Sequence, residues 1–339
     1  MRSRVLVFVG IFVVVVIAGG VYLLSARDRV EEQAQDAPEV SVAPQKDLAS
    51  YLSGSKLVFS SAGPKDFGQV GIVKADNPGG PRVMVDMDCD RIDVVSSGGF
   101  CIQNPHDIFP TVDGVILDKN LKERKRVQLA GQPSRTRVSA DGKYAAVTMF
   151  VSGDSYAPGS FSTRTSLFRM RDGHHVGDLE NFRVTKQGEV VDAVDRNFWG
   201  VTFAPDSDTF YATLSTGGKT YLIKGSISKK RAKVIYDDVE CPSVSPDGTK
   251  IAYKKSTSGS LDTPTWRLHV LDLTTMKDHA LNEKNTVDDQ VEWIDDAHVA
   301  YARLTSPHEV QQTNVWEVPV EGKGKPKRLV LLAGSPSVS

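Results

Sequence analysis

A short motif that recurs along this 339-residue chain constrains the fold more than any other feature. The motif is an apolar residue, then a turn rich in Pro, Asp, Ser and Gly, then a run of apolar and aromatic residues. Its copies begin at Val138, Phe203, Val244 and Trp293, the last with a turn one residue shorter. Asp hydrogen-bonds its own backbone in turns and Gly tolerates positive φ, so each copy predicts a β-hairpin.

Each hairpin is followed by another apolar run, such as residues 267–273, and often by a short closing run, such as residues 327–330. Units of about 40 to 50 residues with four strands are typical of propeller blades, which bury their faces only against neighbouring blades. Two weaker units, at 56–86 and 91–129, bring the total to six. We therefore predict an all-β fold, a six-bladed β-propeller, over residues 51–335. The pattern leaves open which terminal strand closes the ring.

The first 50 residues have a different character. Residues 5–24 carry no charge and no proline, and as a helix they match a hydrocarbon core of about 30 Å. A charged cluster at 27–29 stands where the cleavage site of a leader would lie, so we expect an uncleaved signal-anchor helix, with a cleaved leader as the alternative. Residues 1–4 are then cytoplasmic, residues 25–50 a disordered linker, and the protein a single-pass cell-membrane protein with its C-terminal domain outside the cytoplasm.

Charge and cysteine content add two constraints. Lys and Arg number 41 against 42 Asp and Glu, which excludes the basic footprint of a nucleic-acid-binding protein. Of the three cysteines, Cys89 and Cys101 are candidates for a disulfide outside the cytoplasm. A tight turn around residues 96–99 would pair Val94 with Cys101 and leave Cys89 too far away, so the bond requires a wider loop or a bulge. The third, Cys241, is expected to be a small buried residue.

The motif at residues 244–253 resembles the blade motif of TolB-like, PD40-type six-bladed propellers, and the Gly-His and Trp-Asp pattern of the WD40 type is missing from the sequence. The similarity extends in pattern over about residues 51–330 and is sharpest at 197–206 and 239–248. These stretches look like a group of membrane-anchored TolB-like proteins from actinobacteria. The resemblance implies the scaffold only, because a membrane helix stands here in place of the extra N-terminal domain of TolB.

The sequence offers little chemistry. It contains no G-x-S-x-G motif, and little chain follows the last blade for a hydrolase domain. His308–Glu309 opens a zinc-protease motif but lacks the second histidine. Asp86, Asp88, Asp90 and Asp93 form an acidic cluster, and the first three could face a hard cation. Arg91 replaces the glycine that a calcium loop needs, so a solvated blade edge is the better interpretation. We predict no catalytic residue, no metal site and no cofactor.

Candidate binding residues come from aligning the repeats. The equivalent position just before the apolar residue that ends each innermost strand holds Arg137, Thr202, Ser243 and Glu292. These side chains could converge at the mouth of the channel, or they could satisfy hydrogen bonds between blades. Two segments also exceed what a blade needs: residues 152–165, which contain Tyr156 and Phe161, and residues 180–197. Such segments either contact a partner or cover a blade edge.

These observations favour a non-catalytic binding or scaffolding module at the outer face of the membrane. It would contact the membrane through its N-terminal helix, and its binding partner would be a protein, a peptide or a cell-wall component. A hydrolase of lactonase or glycosidase type with its site in the channel is one alternative, because propellers host such sites. An orphan structural or sensor domain is the other.

Overall fold

The computed structural model describes residues 12, 14–22, 24–25, 37–104, 111–151, 162–258, 264–305 and 312–339. Residues 14–22 are helical, and most of the remaining predicted anchor, 5–24, lies outside the described residues. Within the part described, no helix has both the length and the apolar character needed to cross a bilayer. Contacts divide the chain into two units, of which the larger comprises 40–62 and 68–339.

The larger unit contains six β-sheets, one per blade, which are antiparallel except for one parallel pair of strands in blade 4. In chain order, blade 1 contains β1 (Lys56–Ser61), β2 (Gln69–Lys74) and β3 (Val83–Asp88); blade 2 contains β4 (Arg91–Val95), β5 (Gly98–Gln103), β6 (Val112–Asp118) and β7 (Glu123–Leu129); and blade 3 contains β8 (Gln132–Val138), β9 (Tyr144–Val151), β10 (Ser162–Arg169) and β11 (His174–Asp178). The predicted six-bladed propeller is therefore confirmed.

Blade 4 has six strands because a hairpin is added to its outer edge. The hairpin is β12 (Arg183–Lys186) with β13 (Glu189–Val190), and the blade proper is β14 (Asn197–Phe203), β15 (Thr209–Thr216), β16 (Lys219–Ser226) and β17 (Arg231–Asp237). Blade 5 contains β18 (Glu240–Val244), β19 (Lys250–Ser256), β20 (Trp266–Asp272) and β21 (Lys277–Ala280), and blade 6 contains β22 (Glu292–Asp295), β23 (His298–Leu304), β24 (Thr313–Pro319) and β25 (Lys327–Val330).

The last strand closes the ring. β26 (Ala333–Val338) pairs antiparallel with β1 and becomes the innermost strand of blade 1. It ends three residues beyond the predicted propeller limit of 335. Ser335 and Ser337 accept backbone hydrogen bonds from Ile92 and Val94 of blade 2, so β26 and β4 run in the same direction. The two ends of the propeller are thus held in one sheet, which leaves no open edge at the seam.

The apolar core is distributed around the ring. The described residues form six clusters of buried apolar side chains, and each cluster joins two adjacent blades. The cluster between blades 3 and 4, for example, packs Leu167 against Phe198 and Phe210, all fully buried. Both faces of a blade pack against its neighbours. A single blade would leave its apolar faces in contact with solvent, so it is not expected to fold alone.

The recurring turns follow the predicted chemistry. Asp141, Asp206 and Asp247 each accept a backbone N–H from two residues further on. The Ser245 hydroxyl and the Thr249 backbone N–H also hold the pKa of Asp247 down, at about 2. The repeat in the sequence is therefore a repeated turn, as predicted, and its Asp residues are structural.

One glycine marks a close approach between innermost strands. Gly200 of β14 has φ +62°, and a Cβ at this position would lie 2.5 Å from the Cα of Cys241 in blade 5. Cys241 is buried, as expected, and is not disulfide-bonded. Only glycine satisfies both the backbone conformation and the spacing at this point.

The structure contains a disulfide between Cys89 and Cys101, with Cα atoms 5.6 Å apart. The route to it differs from the one expected. The β4–β5 turn is tight, with Val95 opposite Gly98, so Cys101 pairs with Ile92 and Val94 pairs with Gly99. Cys89 reaches Cys101 because it lies between β3 and β4, where the chain crosses from blade 1 to blade 2.

Ordered structure also begins earlier than expected. The predicted linker, 25–50, ends before Ser41, because Ser41 and Ala43 exchange backbone hydrogen bonds with Arg82 next to β3. A 3-10 helix, Gln45–Asp47, and a short α-helix, Leu48–Leu52, follow and place Tyr51 in the core between blades 1 and 2. The scattered apolar residues Val42, Leu48 and Tyr51 are too few to predict this structure from composition.

Candidate functional site

A charged cluster crosses the central channel. Arg137 of blade 3 forms an ion pair with Glu292 of blade 6, on the opposite side of the ring. The same guanidinium lies 3.5 Å from Asp93 of blade 2, and its other terminal nitrogen donates to the carbonyl oxygen of Val291, 3.0 Å away. Asp93 also accepts hydrogen bonds from the backbone N–H of Val138 (2.6 Å) and from the Ser337 hydroxyl (2.9 Å). We name Arg137, Glu292 and Asp93 the channel cluster.

The channel cluster is shielded from solvent. The side chains of Arg137, Glu292 and Asp93 are 12%, 13% and 6% exposed. Burial raises the pKa of Glu292 to about 7, against the opposing effect of Arg137, and burial also raises the pKa of Asp93. The two carboxylates are therefore tolerated in the channel only because one cation faces both.

The other two predicted residues of this set have different partners. Thr202 accepts a hydrogen bond from the backbone N–H of Val244, and the carbonyl oxygen of Ser243 accepts one from the Trp293 indole, so both join neighbouring blades. Glu292 begins its strand, whereas the other three residues stand next to the last residue of theirs. Binding by any of the four stays a prediction, and Tyr156 and Phe161 lie outside the described residues.

A second group of charges lies at one mouth of the channel. We name it the rim cluster; it consists of Arg91, Arg135, Glu240, Lys254 and Asp288. Asp288 pairs with Lys254 and lies 3.6 Å from Arg135, and Lys254 lies 3.9 Å from Glu240. Burial, and then the positive charge of Arg135, lower the pKa of Arg91.

The rim cluster defines one face of the propeller. Arg91 is the first residue of β4, Glu240 is the first of β18 and Asp288 precedes β22, whereas Arg135 lies within β8 and Lys254 lies in β19 opposite Glu240. These positions mark the side of the ring on which the innermost strands begin. We call this the entry face. The Asp-rich turns of the repeat follow the innermost strands and therefore lie on the other side, which we call the exit face. Asp288 is 58% exposed, so the entry face presents charge to solvent.

A cavity of about 430 Å³ opens on the entry face between blades 3 and 4. It is lined by residues 162–164, 178, 180–181 and 192–197. These residues begin β10, end β11, form part of the 3-10 helix Leu179–Asn181 and lead into β14. The segment 180–197 that the sequence marked as extra therefore does two things. Its hairpin β12–β13 covers the outer edge of blade 4 through parallel pairing with β17, and the rest lines the cavity.

Most charged groups of the lining have partners in the protein. Asp195 accepts hydrogen bonds from the Thr216 hydroxyl (2.6 Å) and the Gly217 N–H (2.7 Å). Asp178 accepts from the Ser166 hydroxyl and from the His175 ring. The Arg196 guanidinium donates to backbone carbonyl oxygens, of Val191 at 2.9 Å and of Glu180 at 3.4 Å, so it does not neutralise a carboxylate here.

Glu180 has a backbone partner but no ion-pair partner among the described residues. Its carboxyl group accepts the backbone N–H of Thr165, at 3.0 and 3.2 Å from the two oxygens, and no described Lys or Arg forms an ion pair with it. Burial raises the pKa of Glu180 to about 8, against the backbone N–H groups of Glu180 and Thr165; Asp178 raises it further and Arg164 opposes. The cavity thus contains a shielded acid that lacks a counter-charge.

Sequence reasoning did not single out Glu180 as a site residue. It marked the segment 180–197 by length alone, and the burial of one carboxyl group depends on how β10 and β14 pack.

Two members of the acidic cluster that the sequence offered as a possible cation site have protein partners. Asp90 accepts a hydrogen bond from the Asn104 amide, and Asp93 belongs to the channel cluster. No group of three or more potential metal ligands occurs in the described part of the chain.

Comparison with solved structures finds the same architecture in TolB. TolB from Acinetobacter baumannii is similar with a TM-score of 0.57 and 15% identity, over 85% of this chain and 67% of that one. A putative TolB from Agrobacterium tumefaciens gives a TM-score of 0.50 and 10% identity, over 83% of this chain and 90% of the other. The chain is thus similar in fold to TolB-type propellers, which confirms that part of the resemblance.

The fold is also shared beyond TolB. A chain from a nidogen–laminin complex gives a TM-score of 0.54 with 9% identity, over 84% of this chain and 98% of that one. No protein-family model matches the sequence, and no curated protein sequence matches it. Identities this low show the fold alone.

Proposed function

We propose that this protein is a membrane-anchored binding module whose propeller lies outside the cytoplasm and recognises a protein, a peptide or a cell-envelope component through its entry face. One observation carries the proposal: the concave part of the entry face holds an acid without a counter-charge, while the charges inside the channel are paired with one another. A cavity with a few convergent polar groups is the usual form of a binding site.

The channel cluster also bears on the alternative of a channel-sited hydrolase. Arg137 holds both channel carboxylates, and each oxygen of Asp93 has a protein donor. A general acid or base must reach a substrate in order to transfer a proton. Carboxylates tied to a buried arginine are better suited to holding opposite blades together, which supports a non-catalytic function.

The proposed location has its own support. The uncharged stretch 5–24 supports a membrane anchor, and the Cys89–Cys101 disulfide fits an oxidising compartment outside the cytoplasm. Rapid acid quenching of cells followed by thiol alkylation measures this directly. One alkylated cysteine per chain, Cys241, is expected after denaturation, and three would place the propeller in a reducing compartment.

The binding function is tested by affinity capture from membranes with the full-length protein. Asp288→Asn removes a charge from the entry face, and Asp296→Asn makes the same change in the turn after β22, on the exit face. We expect a captured partner to be reduced with Asp288→Asn and retained with Asp296→Asn. Equal capture by all three proteins would count against recognition through the entry face.

A further inference from the structure

We propose that the cavity between blades 3 and 4 binds an aliphatic ammonium group, the side chain of a lysine in a peptide or protein, with Glu180 as its counter-charge. The inference rests on the proposed function for its biological partner, but the chemistry of the cavity can be tested by itself. The described lining of the cavity lacks a positive charge that pairs with the carboxyl group of Glu180. Of the charged groups that line it, Glu180 is the shielded one that has no ion-pair partner among the described residues.

The shape and lining of the cavity fit such a group. A volume of about 430 Å³ exceeds what one side chain needs, so a lysine can enter together with part of its backbone. Val194, on the lining, is 82% exposed and offers an apolar surface to a methylene stem. Lysine buries its stem along apolar surface while its ammonium group seeks an anion. Asp192, which is exposed at the cavity, adds a second negative charge for the approach.

The charges around Glu180 favour a cation over an anion. Asp178, Asp192 and Asp195 line the same cavity, against Arg164 and Arg196. Arg196 is committed to carbonyl oxygens, and Asp178 and Asp195 accept hydrogen bonds from Ser166, His175, Thr216 and Gly217. Arg164 lowers the pKa of Glu180 less than burial raises it. An entering anion would meet three carboxylates, whereas an entering ammonium would supply the missing counter-charge.

Binding of an ammonium group to Glu180 should change the number of bound protons, and this change can be measured. At pH 7 a carboxyl group with a pKa of about 8 is protonated in about ten molecules for each one that is ionised. An ammonium group that forms an ion pair with Glu180 therefore releases the proton of Glu180 to solvent, and the lysine keeps its own. As the pH rises toward 8, the affinity for the ammonium group should increase by up to about tenfold per pH unit. Above pH 8 the affinity should level off, until lysine itself titrates near pH 10.

The test is isothermal titration calorimetry on the full-length protein in detergent. The probe is N-acetyl-lysine-methylamide, and N-acetyl-norleucine-methylamide provides the same stem without the ammonium group. We expect the lysine probe to bind at least ten times more tightly than the norleucine probe. Buffers of different ionisation enthalpy should report the release of about one proton per site at pH 7 and of almost none at pH 9.5. Equal binding of the two probes, or binding without proton release, would overturn the proposal.

Variants separate Glu180 from general surface charge. Glu180→Gln keeps the shape of the side chain and removes a proton that can be released, so the lysine preference and the proton release should both disappear while the melting temperature is retained. Asp192→Asn should weaken binding by threefold or less and keep the proton release. Equal losses in both variants would assign the binding to net charge and refute the role of Glu180.

A third probe identifies the source of the cation. n-Butylamine carries the lysine head group without a peptide backbone, and weaker binding than that of the lysine probe is expected. Equal binding would assign the cavity to free amines and overturn the peptide assignment. If the lysine probe binds as expected but membranes show no captured partner, the chemistry of the cavity stands and the proposed function fails, so the two failures are distinguishable.

Discussion

Replacement of Arg137 by Met tests the account of the channel most severely. The change removes the cation that faces both Glu292 and Asp93, and it removes the donor to the carbonyl oxygen of Val291. The apolar stem is kept, so the loss is mainly electrostatic. Breaking a buried ion pair by removing one partner costs about 3–5 kcal/mol. We expect a loss of that size in the free energy of unfolding at pH 8.

The loss should depend on pH. The folded-state pKa of Glu292, about 7, is above its unfolded value of about 4.3, so the stability linked to its protonation is fully present below about pH 4 and is lost as the pH rises through 7. Without Arg137 the preference for the protonated carboxyl groups becomes stronger. At pH 5 protonation replaces part of the missing neutralisation, and the loss caused by Arg137→Met should fall to about 1–2 kcal/mol.

The assay is equilibrium urea unfolding followed by tryptophan fluorescence, since the chain has four Trp residues. The double variant Arg137→Met with Glu292→Gln is the control, because it removes one of the two stranded charges. It should be more stable than Arg137→Met alone at pH 8, by about 1–3 kcal/mol. An equal loss at pH 5 and pH 8, or a double variant that is less stable than the single one, would refute the interpretation of the channel cluster as a mutually neutralised group.

Three further outcomes are expected in the same assay. Gly200→Ala, strained by its positive φ and by the neighbouring strand, should cost about 1–3 kcal/mol, whereas Gly54→Ala, with open space at its Cβ, should cost less than about 1 kcal/mol; similar values would refute the close approach. Reduction of the Cys89–Cys101 bond, which closes a loop of sequence separation 12, should cost about 2–4 kcal/mol, and Cys89→Ser should remove the effect of reductant. Asp247→Asn should destabilise at pH 6, because the low pKa of Asp247 adds stability above about pH 4 that is lost as the pH falls toward 2; a constant difference from pH 6 to pH 2 would contradict this.

The architecture could be predicted from the sequence because its information is local. The Asp side chains of the turns hydrogen-bond within a few residues, and a continuous apolar run of strand length follows each turn, so each hairpin can be recognised from the sequence. The seam could not be predicted. β26 has the sequence AGSPSV, which lacks the apolar alternation of a strand, and its place depends on pairing with β1, nearly the whole chain away.

The candidate site was predicted less well, for a related reason. Alignment of the repeats brought Arg137 and Glu292 to attention, and the structure brings them together across the ring, but as partners of each other. Glu180 could not be found, because its environment comes from β10 and β14 in two different blades. Burial and missing counter-charges depend on three-dimensional packing, whereas turns and apolar strands depend on residues that are close together in the sequence.

Recognition through the entry face is tested most directly by position-specific photo-crosslinking in living cells. A photoreactive amino acid at Val194, which is 82% exposed beside the cavity, probes the entry face, and the same group at Asp296 probes the exit face in an otherwise identical full-length protein. We predict a discrete crosslinked species from position 194, reduced by the additional change Glu180→Gln, and no such species from position 296. Crosslinking that is equal from both positions, or that is confined to position 296, would contradict it.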